Sequence, residues 1–481
     1  MINSEFNIKY SLEGTLVFHS SFFTAASMEL DPVIDMCILK TPDKKLLLGG
    51  STLAGKIRST LENIFGENDE RIRNIFGFQD ASSRIIFNDS IAENSLYEER
   101  YGVVIDRNTG TAADGLLYDK QIAPPYIKFK VRVDLDSSEA RAAGDLEILR
   151  LIEKLLAEGF INFGGNASRG SGFCFLRDHF IRKALLTEEK GFISYILDKM
   201  EKTDEKHELS GMPVKGANGG YSSILLEYEL KFDQGVLTGD KTNMPGLKNE
   251  DLESDIMPYF MTTPEGEYFI IPGSSLKGVL RTKAESILLK RKFKYICDPS
   301  ATEGYCNDNY RYKGKSPDAL CEACKIFGAV DYASKVLFSD LIMNEKVSDS
   351  QLKKVEHVAI DRFTGGGIEG CKFNETIVEK PVYKGYAVVR NPSLSDMNIL
   401  AHLALEMNDG KIRAGHSTRK GFGRLMPRLL SAKVFTSDPE NDVISALSCG
   451  AAFKNYGGAE FIEAMKKHLN AIEDGRKKAN E

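Results

Sequence analysis

No apolar run in the 481-residue sequence approaches the roughly 18 residues that a membrane helix needs, which excludes a helical membrane protein. The N-terminal stretch MINSEFNIKYSLEG lacks a basic flank followed by an apolar segment, so no secretory signal is expected and the cytoplasm is the expected location. Positive charge is not in excess either. The formal net charge is −6, so a polyanion must be held by local clusters such as LLKRKFKY (Leu288 to Tyr295) and RAGHSTRKGFGR (Arg413 to Arg424). Proline is sparse, 15 residues beside 42% hydrophobic content, which describes a folded chain long enough for two or three domains.

What the chain does have is repetition. GGSTLAGKIRSTLE (Gly49 to Glu62) pairs with PGSSLKGVLRTKAE (Pro272 to Glu285), and IFGFQDASSRIIFND (Ile75 to Asp89) with IFGAVDYASKVLFSD (Ile326 to Asp340). VIDRNTGTAADG pairs with AIDRFTGGGIEG, and GGNASRGSGF with AGHSTRKGFG, in the same order. Gly50 and Gly273 are 223 residues apart but Phe76 and Phe327 are 251 apart, so the second copy carries an insert between its first two segments. The expected division is a first domain at 1–199, a charged and glycine-rich linker at 200–220, a second domain at 221–436 with its insert at about 290–325, and a helical tail at 437–481. Each copy reads as strand, helix, strand, long loop, strand, helix, strand. That pattern predicts an α+β protein of two tandem ferredoxin-like domains with long loop insertions.

GGSTLAGKI nearly spells a mononucleotide-binding loop, but Ile57 stands where a hydroxyl must reach magnesium, so a nucleotide hydrolase is disfavoured. Both copies share glycine, a hydroxyl pair, glycine and arginine: Gly50, Ser51, Thr52, Gly55 and Arg58, then Gly273, Ser274, Ser275, Gly278 and Arg281. Lys56 and Lys277 add charge. A helix N-terminus with free N–H groups, a hydroxyl and an arginine suits an anion, although an N-cap and close packing would also explain the serine and glycine. The terminal loops place Arg169 and Arg419 among glycines, where the main chain can approach a ligand closely. Two such loops per copy describe a run of phosphates better than one nucleotide. Within and beside the insert, Cys297, Cys306, Cys321 and Cys324 include the pair CEAC, and four thiolates suit tetrahedral zinc.

Taken in order and twice over, G-S-S-L-K-G-x-L-R, I-F-G, I-D-R-x-T-G-G and the terminal arginine-glycine loop resemble the RAMP superfamily, and more narrowly the backbone subunits of type III CRISPR-Cas effector complexes in a fused, two-copy form. The resemblance implies modified RNA-recognition folds that stack along a CRISPR guide RNA with other effector subunits, and a zinc knuckle in the second copy. It implies that the I-D-R loops, with Arg107 and Arg362, are thumb hairpins that wedge into the duplex of guide and target RNA. It also implies an aspartate in the loop before the opening motif that cleaves target RNA with a divalent metal such as magnesium, leaving a 2′,3′-cyclic phosphate. LDPVID offers Asp31, with Asp35 as the weaker choice. NEDLESDIMPYF offers Asp255, with Glu253 as its rival. The alternative is a non-catalytic guide RNA scaffold. A histidine-dependent processing nuclease would have His19, which reads more simply as a strand residue.

Overall fold

The alternation in IKYSLEGTLVF becomes β1 (Ile8–Phe18), which buries Ile8, Tyr10, Leu12, Leu16 and Phe18. Leu53, Ile57, Leu61 and Ile64 line the buried face of α1 (Gly50–Phe65) at helical spacing. A short α2 (Glu70–Phe76) starts at Asp69, whose side chain accepts from Arg71 N, and stops at Gly77, where φ is 78°. There follow β2 (Ile85–Phe87), β3 (Glu98–Ile105), β4 (Ala112–Ile122), β5 (Lys128–Ser137), α3 (Ala142–Ala157) and β6 (Cys174–Leu185). The second half contains β7 (Ser222–Phe232), α4 (Gly273–Lys290), α5 (Glu322–Phe327), β8 (Val336–Phe338), β9 (Leu352–Ile360), β10 (Gly367–Glu379), β11 (Val382–Arg390), α6 (Leu394–Asn408) and β12 (Leu425–Thr436). This computed structural model describes residues 6–26, 34–105, 112–203, 220–240, 252, 254–290, 296–297, 306, 316–438, 444–448 and 452–467.

Both halves pair their strands alike. The first sheet contains the run β2–β5–β1–β6 and the second the run β8–β11–β7–β12, every neighbour antiparallel. In each, the first strand of the half is central, with the third on one side and the fourth on the other, the strand order of a split βαβ, ferredoxin-like sheet. Register fixes which face each strand buries: Leu12 lies opposite Val133 and Ile181, and Leu226 opposite Ala387 and Ala432. The two sheets share a core, because Tyr221, Leu225, Tyr386 and Phe435 pack in one cluster with Leu12, Phe18 and Phe175.

The long loops between second and third strands are largely paired hairpins, β3–β4 and β9–β10, that leave the sheets. The tail is not wholly helical: β13 (Phe453–Gly457) adds to the edge of β12, because Phe453 packs its ring 4.7 Å from that of Phe435. Among the described residues no helix is long and apolar enough to cross a membrane.

Candidate nucleic-acid interface

At the start of α1 the first N–H is already bound. Gly50 N donates to Asp89 Oδ1 at 2.7 Å, and in α4 Gly273 N donates to Asp340 Oδ1 at 2.8 Å. An anion does sit at each helix N-terminus, and it is the fold's own carboxylate, from the last position of the repeated I-F-G segment. The glycines are required by packing. A Cβ on Gly50 would lie 2.0 Å from Phe87 O, and one on Gly273 would lie 2.6 Å from both Phe338 O and Gly170 Cα. The repeated arginines also have partners. Arg58 Nε donates to Glu62 at 2.8 Å and Arg281 Nε to Glu285 at 3.1 Å, each one helical turn on. Arg281 further donates to Gly328 O at 3.0 Å and to Cys324 Sγ at 3.1 Å, which commits it to the cysteine site. Ser51, Ser274 and Ser275 are exposed; Gly55 and Gly278 have open space around them.

The terminal loops each form one tight turn, Ala167–Arg169 and Thr418–Lys420, between a left-handed residue (Asn166, φ 59°; Ser417, φ 54°) and a left-handed glycine (Gly170, φ 116°; Gly421, φ 105°). These landmarks make Lys420 the counterpart of Arg169, and Ser168 that of Arg419. Arg419 is exposed, one residue out of the register in which it was paired with Arg169. The first loop meets the second half directly. Asp340 N donates to Gly170 O at 3.0 Å, Ser21 Oγ donates to Asp340 Oδ2 at 2.6 Å, and Arg100 Nη1 donates to the same oxygen at 2.9 Å. Burial works against the Arg100 charge, but Asp340, Tyr259 and Glu98 together outweigh it and the Arg100 pKa is raised.

Cations also lie around that junction. Burial pushes the Lys277 ammonium down to about 8, with Arg281 and then Arg169 adding to the effect. Lys120 on β4 is likewise pushed down to about 8, by burial and then by Arg100, with Asp340 opposing and Arg169 adding. Lys56 is pushed down to about 8 by burial and then Arg390. Arg169 is exposed and reaches Tyr118 OH at 3.4 Å. Lysines held below their ordinary value by burial and neighbouring positive charge are in the condition that an incoming phosphate relieves.

Asp31, Arg107 and Glu253 lie outside the described residues. Asp255 is exposed, and its Oδ2 accepts from Asn374 N at 2.9 Å, beside a parallel bridge from Ile256 to Glu375 of β10. Asp35 repeats this arrangement: its Oδ2 accepts from Asp119 N at 3.0 Å, beside a parallel bridge from Met36 to Lys120 of β4. Asp35 and Asp255 are therefore counterparts. Counting back four residues from each pairs Asp31 with Asp251, so Asp31 and Asp255 hold different positions. At the tip of β9–β10, Asp361 accepts from the N–H groups of Phe363 and Thr364 rather than pairing with Arg362, and Arg362 and Phe363 are exposed, Phe363 completely.

One cluster escaped the sequence reading. Glu375, wholly buried, accepts from Ser417 Oγ at 2.7 Å and Lys420 Nζ at 2.9 Å, with His357 Nε2 at 3.1 Å and His416 Nδ1 at 3.3 Å. Burial alone would raise its pKa, but the bonds from Ser417 and Lys420 outweigh that and the pKa is lowered. AGHSTRKG carries three of these partners, but their acceptor is on a hairpin 41 residues away from His416. His19, by contrast, sits just past β1 among Tyr126, Phe175 and Tyr386, with burial and then Arg177 pushing it down to about 4. It is neutral near pH 7 and enclosed by rings.

Cys297, Cys306, Cys321 and Cys324 are buried together, with all four sulfurs within 4.8 Å of one another. Cys297 Sγ lies 3.3 Å from Cys324 Sγ and 3.7 Å from Cys321 Sγ. Four sulfurs around zinc at about 2.3 Å stand about 3.8 Å apart, so this cluster could bind a metal such as zinc. Cys37 and Cys174 are buried singly and Cys371 is exposed.

These features define an α+β protein of antiparallel sheets with ferredoxin-like strand order, a cysteine cluster and local basic patches. The RAMP superfamily profile matches residues 32–175 and 257–425, and the chain belongs to that superfamily. The superfamily includes CRISPR-associated proteins that bind RNA, and its members are often ribonucleases. No curated protein matches the chain.

Proposed function

We propose that the chain is a fused, two-copy backbone subunit of a type III CRISPR RNA-guided effector complex, which grips guide RNA and cleaves paired target RNA. The observation that carries this reading is the junction of the halves, where the Arg169 loop meets the start of α4 and groups the cations Arg169, Lys277 and Lys120. Ser274 and Ser275 supply hydroxyls there, and Ser51, Thr52 and Lys56 the same chemistry on α1. Arg419 extends it at the far end. Contacts of this kind hold phosphates without reading bases. The exposed Phe363 beside Arg362 suits a hairpin that wedges between bases, the role also given to the hairpin bearing Arg107.

A phosphate favours the charged ammonium, so binding raises the pKa of Lys277 and takes up a proton. Affinity for guide RNA is expected to be highest below about pH 8 and to fall as pH rises through that value. Lys277→Met should bind more weakly, with a shallower pH dependence and a salt slope reduced by about one. Titrations from about pH 7 to about pH 9 test this, and equal slopes for wild type and variant would remove Lys277 from the interface.

For cleavage we assign Asp31 in the first copy and Asp255 in the second. Asp255 is exposed and its Oδ2 accepts from Asn374 N, which fits a magnesium ion held by one carboxylate and otherwise by RNA phosphate and water. Such an ion would supply charge at the phosphate; Asp255 itself would orient or deprotonate the attacking hydroxyl. The expected result is two cuts in target RNA, with Asp31→Ala and Asp255→Ala each removing one and leaving target binding within about twofold. Sequencing gel analysis of the products decides it. Loss of the second cut in Asp251→Ala or Glu253→Ala but not Asp255→Ala moves the assignment, and retention of both cuts in every variant leaves a scaffold.

A further inference from the structure

The Glu375 cluster belongs to the second copy alone. The hairpin registers place Arg100 opposite Lys120 and Val355 opposite Glu375, so Lys120 fills the place of Glu375 in the first copy. Gly165 fills that of His416, by the register of the two turns. His416 is half exposed. Its Nδ1 faces Ser417 Oγ at 3.0 Å and Glu375 Oε1 at 3.3 Å, and its Nε2 has no partner among the described residues. Its backbone is fixed by a bond from His416 N to Leu237 O at 2.6 Å. A buried carboxylate behind one ring nitrogen leaves the other to exchange a proton with whatever lies in front. The segment carrying Asp255 is held to the same stretch of β10: Asp255 Oδ2 accepts from Asn374 N at 2.9 Å, and Ile256 bridges Glu375. The charged and titratable groups of the cluster are thus Glu375 and His357 on the hairpin and Lys420 on the loop of His416 itself, with Asp255 held at the neighbouring residue of β10.

We propose that His416 is the proton donor for cleavage by the second copy, positioned by Glu375, a step that rests on that copy cutting target RNA at all. Asp255 accepts the proton of the 2′-hydroxyl, and O2′ forms a bond to the adjacent phosphorus. The bond from phosphorus to O5′ breaks with its electron pair on O5′, which takes the proton from His416 Nε2. The products are a 2′,3′-cyclic phosphate and a 5′-hydroxyl, and Glu375 stabilises the imidazolium before transfer. Glu375 never touches substrate; it is a positioning residue.

The test uses the assembled complex with guide RNA and two targets, one ordinary and one with sulfur in place of the bridging O5′ at the second cut. On the ordinary target His416→Gln should slow the second cut by roughly 100-fold or more, and leave the first cut and target binding unchanged. The wild-type rate at the second cut should fall as the imidazolium deprotonates, a limb absent from the first cut and from His416→Gln. Sulfur leaves without a proton, so on the sulfur target the variant should cut as fast as wild type. Glu375→Gln should show a smaller deficit on the ordinary target and none on the sulfur target. A variant deficit that persists on the sulfur target overturns the proposal, as does a second cut at wild-type rate in His416→Gln. A wild-type complex that cuts only at the first position overturns it while leaving the RNA-guided reading in place; one that cuts at neither removes both.

Discussion

Asp340→Ala should destabilise the protein by about 3–5 kcal/mol, the usual result of stripping one partner from a buried ion pair. The side chain of Asp340 has no exposure and that of Arg100 only 7%, so the guanidinium would lose its direct counter-charge in a buried site and keep only Glu98, reached through Tyr259. Ser21 Oγ and Gly273 N would lose their acceptor as well. Asp89, at the same place in the first half, is exposed and holds Gly50 N, so Asp89→Ala should cost about 1 kcal/mol, as for loss of a helix cap. Denaturant titration of both variants checks the contrast. Arg100→Met combined with Asp340→Leu should recover most of the loss, because it removes both charges. Equal shifts for Asp340→Ala and Asp89→Ala would mean that the junction is wet.

The second large effect is expected on removing metal. If the four cysteines hold one zinc, Cys321→Ser with Cys324→Ser should abolish it, since each ligand lost leaves an incomplete tetrahedron. The site is part of the core of the second half: Leu280, Leu288, Leu320 and Phe327 cluster with the cysteines, and Arg281 ties α4 to Cys324. Apoprotein should therefore lose amide protection over α4 and α5 while β1, β5 and β6 keep theirs. Metal analysis together with hydrogen exchange reads both outcomes. Protein purified without chelators that contains less than about half an equivalent of metal, or protection unchanged by the double substitution, would contradict this.

The layering of strands and helices was legible because the apolar positions of β1 and α1 keep periods of two and 3.6 residues, and the cysteine cluster because CEAC leaves little else for two adjacent thiols to do. Other features needed coordinates for identifiable reasons. Arg58 and Arg281 look like phosphate ligands until Glu62 and Glu285 are seen to be their neighbours on the helix. Arg169 aligns with Arg419 by letter and with Lys420 by backbone, since the left-handed residues that set the turn, Asn166 and Ser417, differ in type. Asp35 and Asp255 share a position only through their bridges to the hairpins, contacts between segments 84 and 119 residues apart. Long-range pairing of that kind leaves no local period to read.

The junction between halves is also a rule about what can follow what. Gly172 N bonds Ser21 O, and Gly423 N bonds Gly235 O, so Gly235 occupies in the second half the place of Ser21; the hairpin registers put Val355 in the place of Arg100. The far end of the chain therefore has neither the hydroxyl nor the guanidinium with which the near half neutralises Asp340. Were one molecule to dock onto another as its own halves dock, Asp89 would be enclosed by glycine and valine, a carboxylate deprived of water and given no donor in return. A head-to-tail contact of that kind would bury a charge that the contact between the halves neutralises, so the two ends of the molecule are not interchangeable.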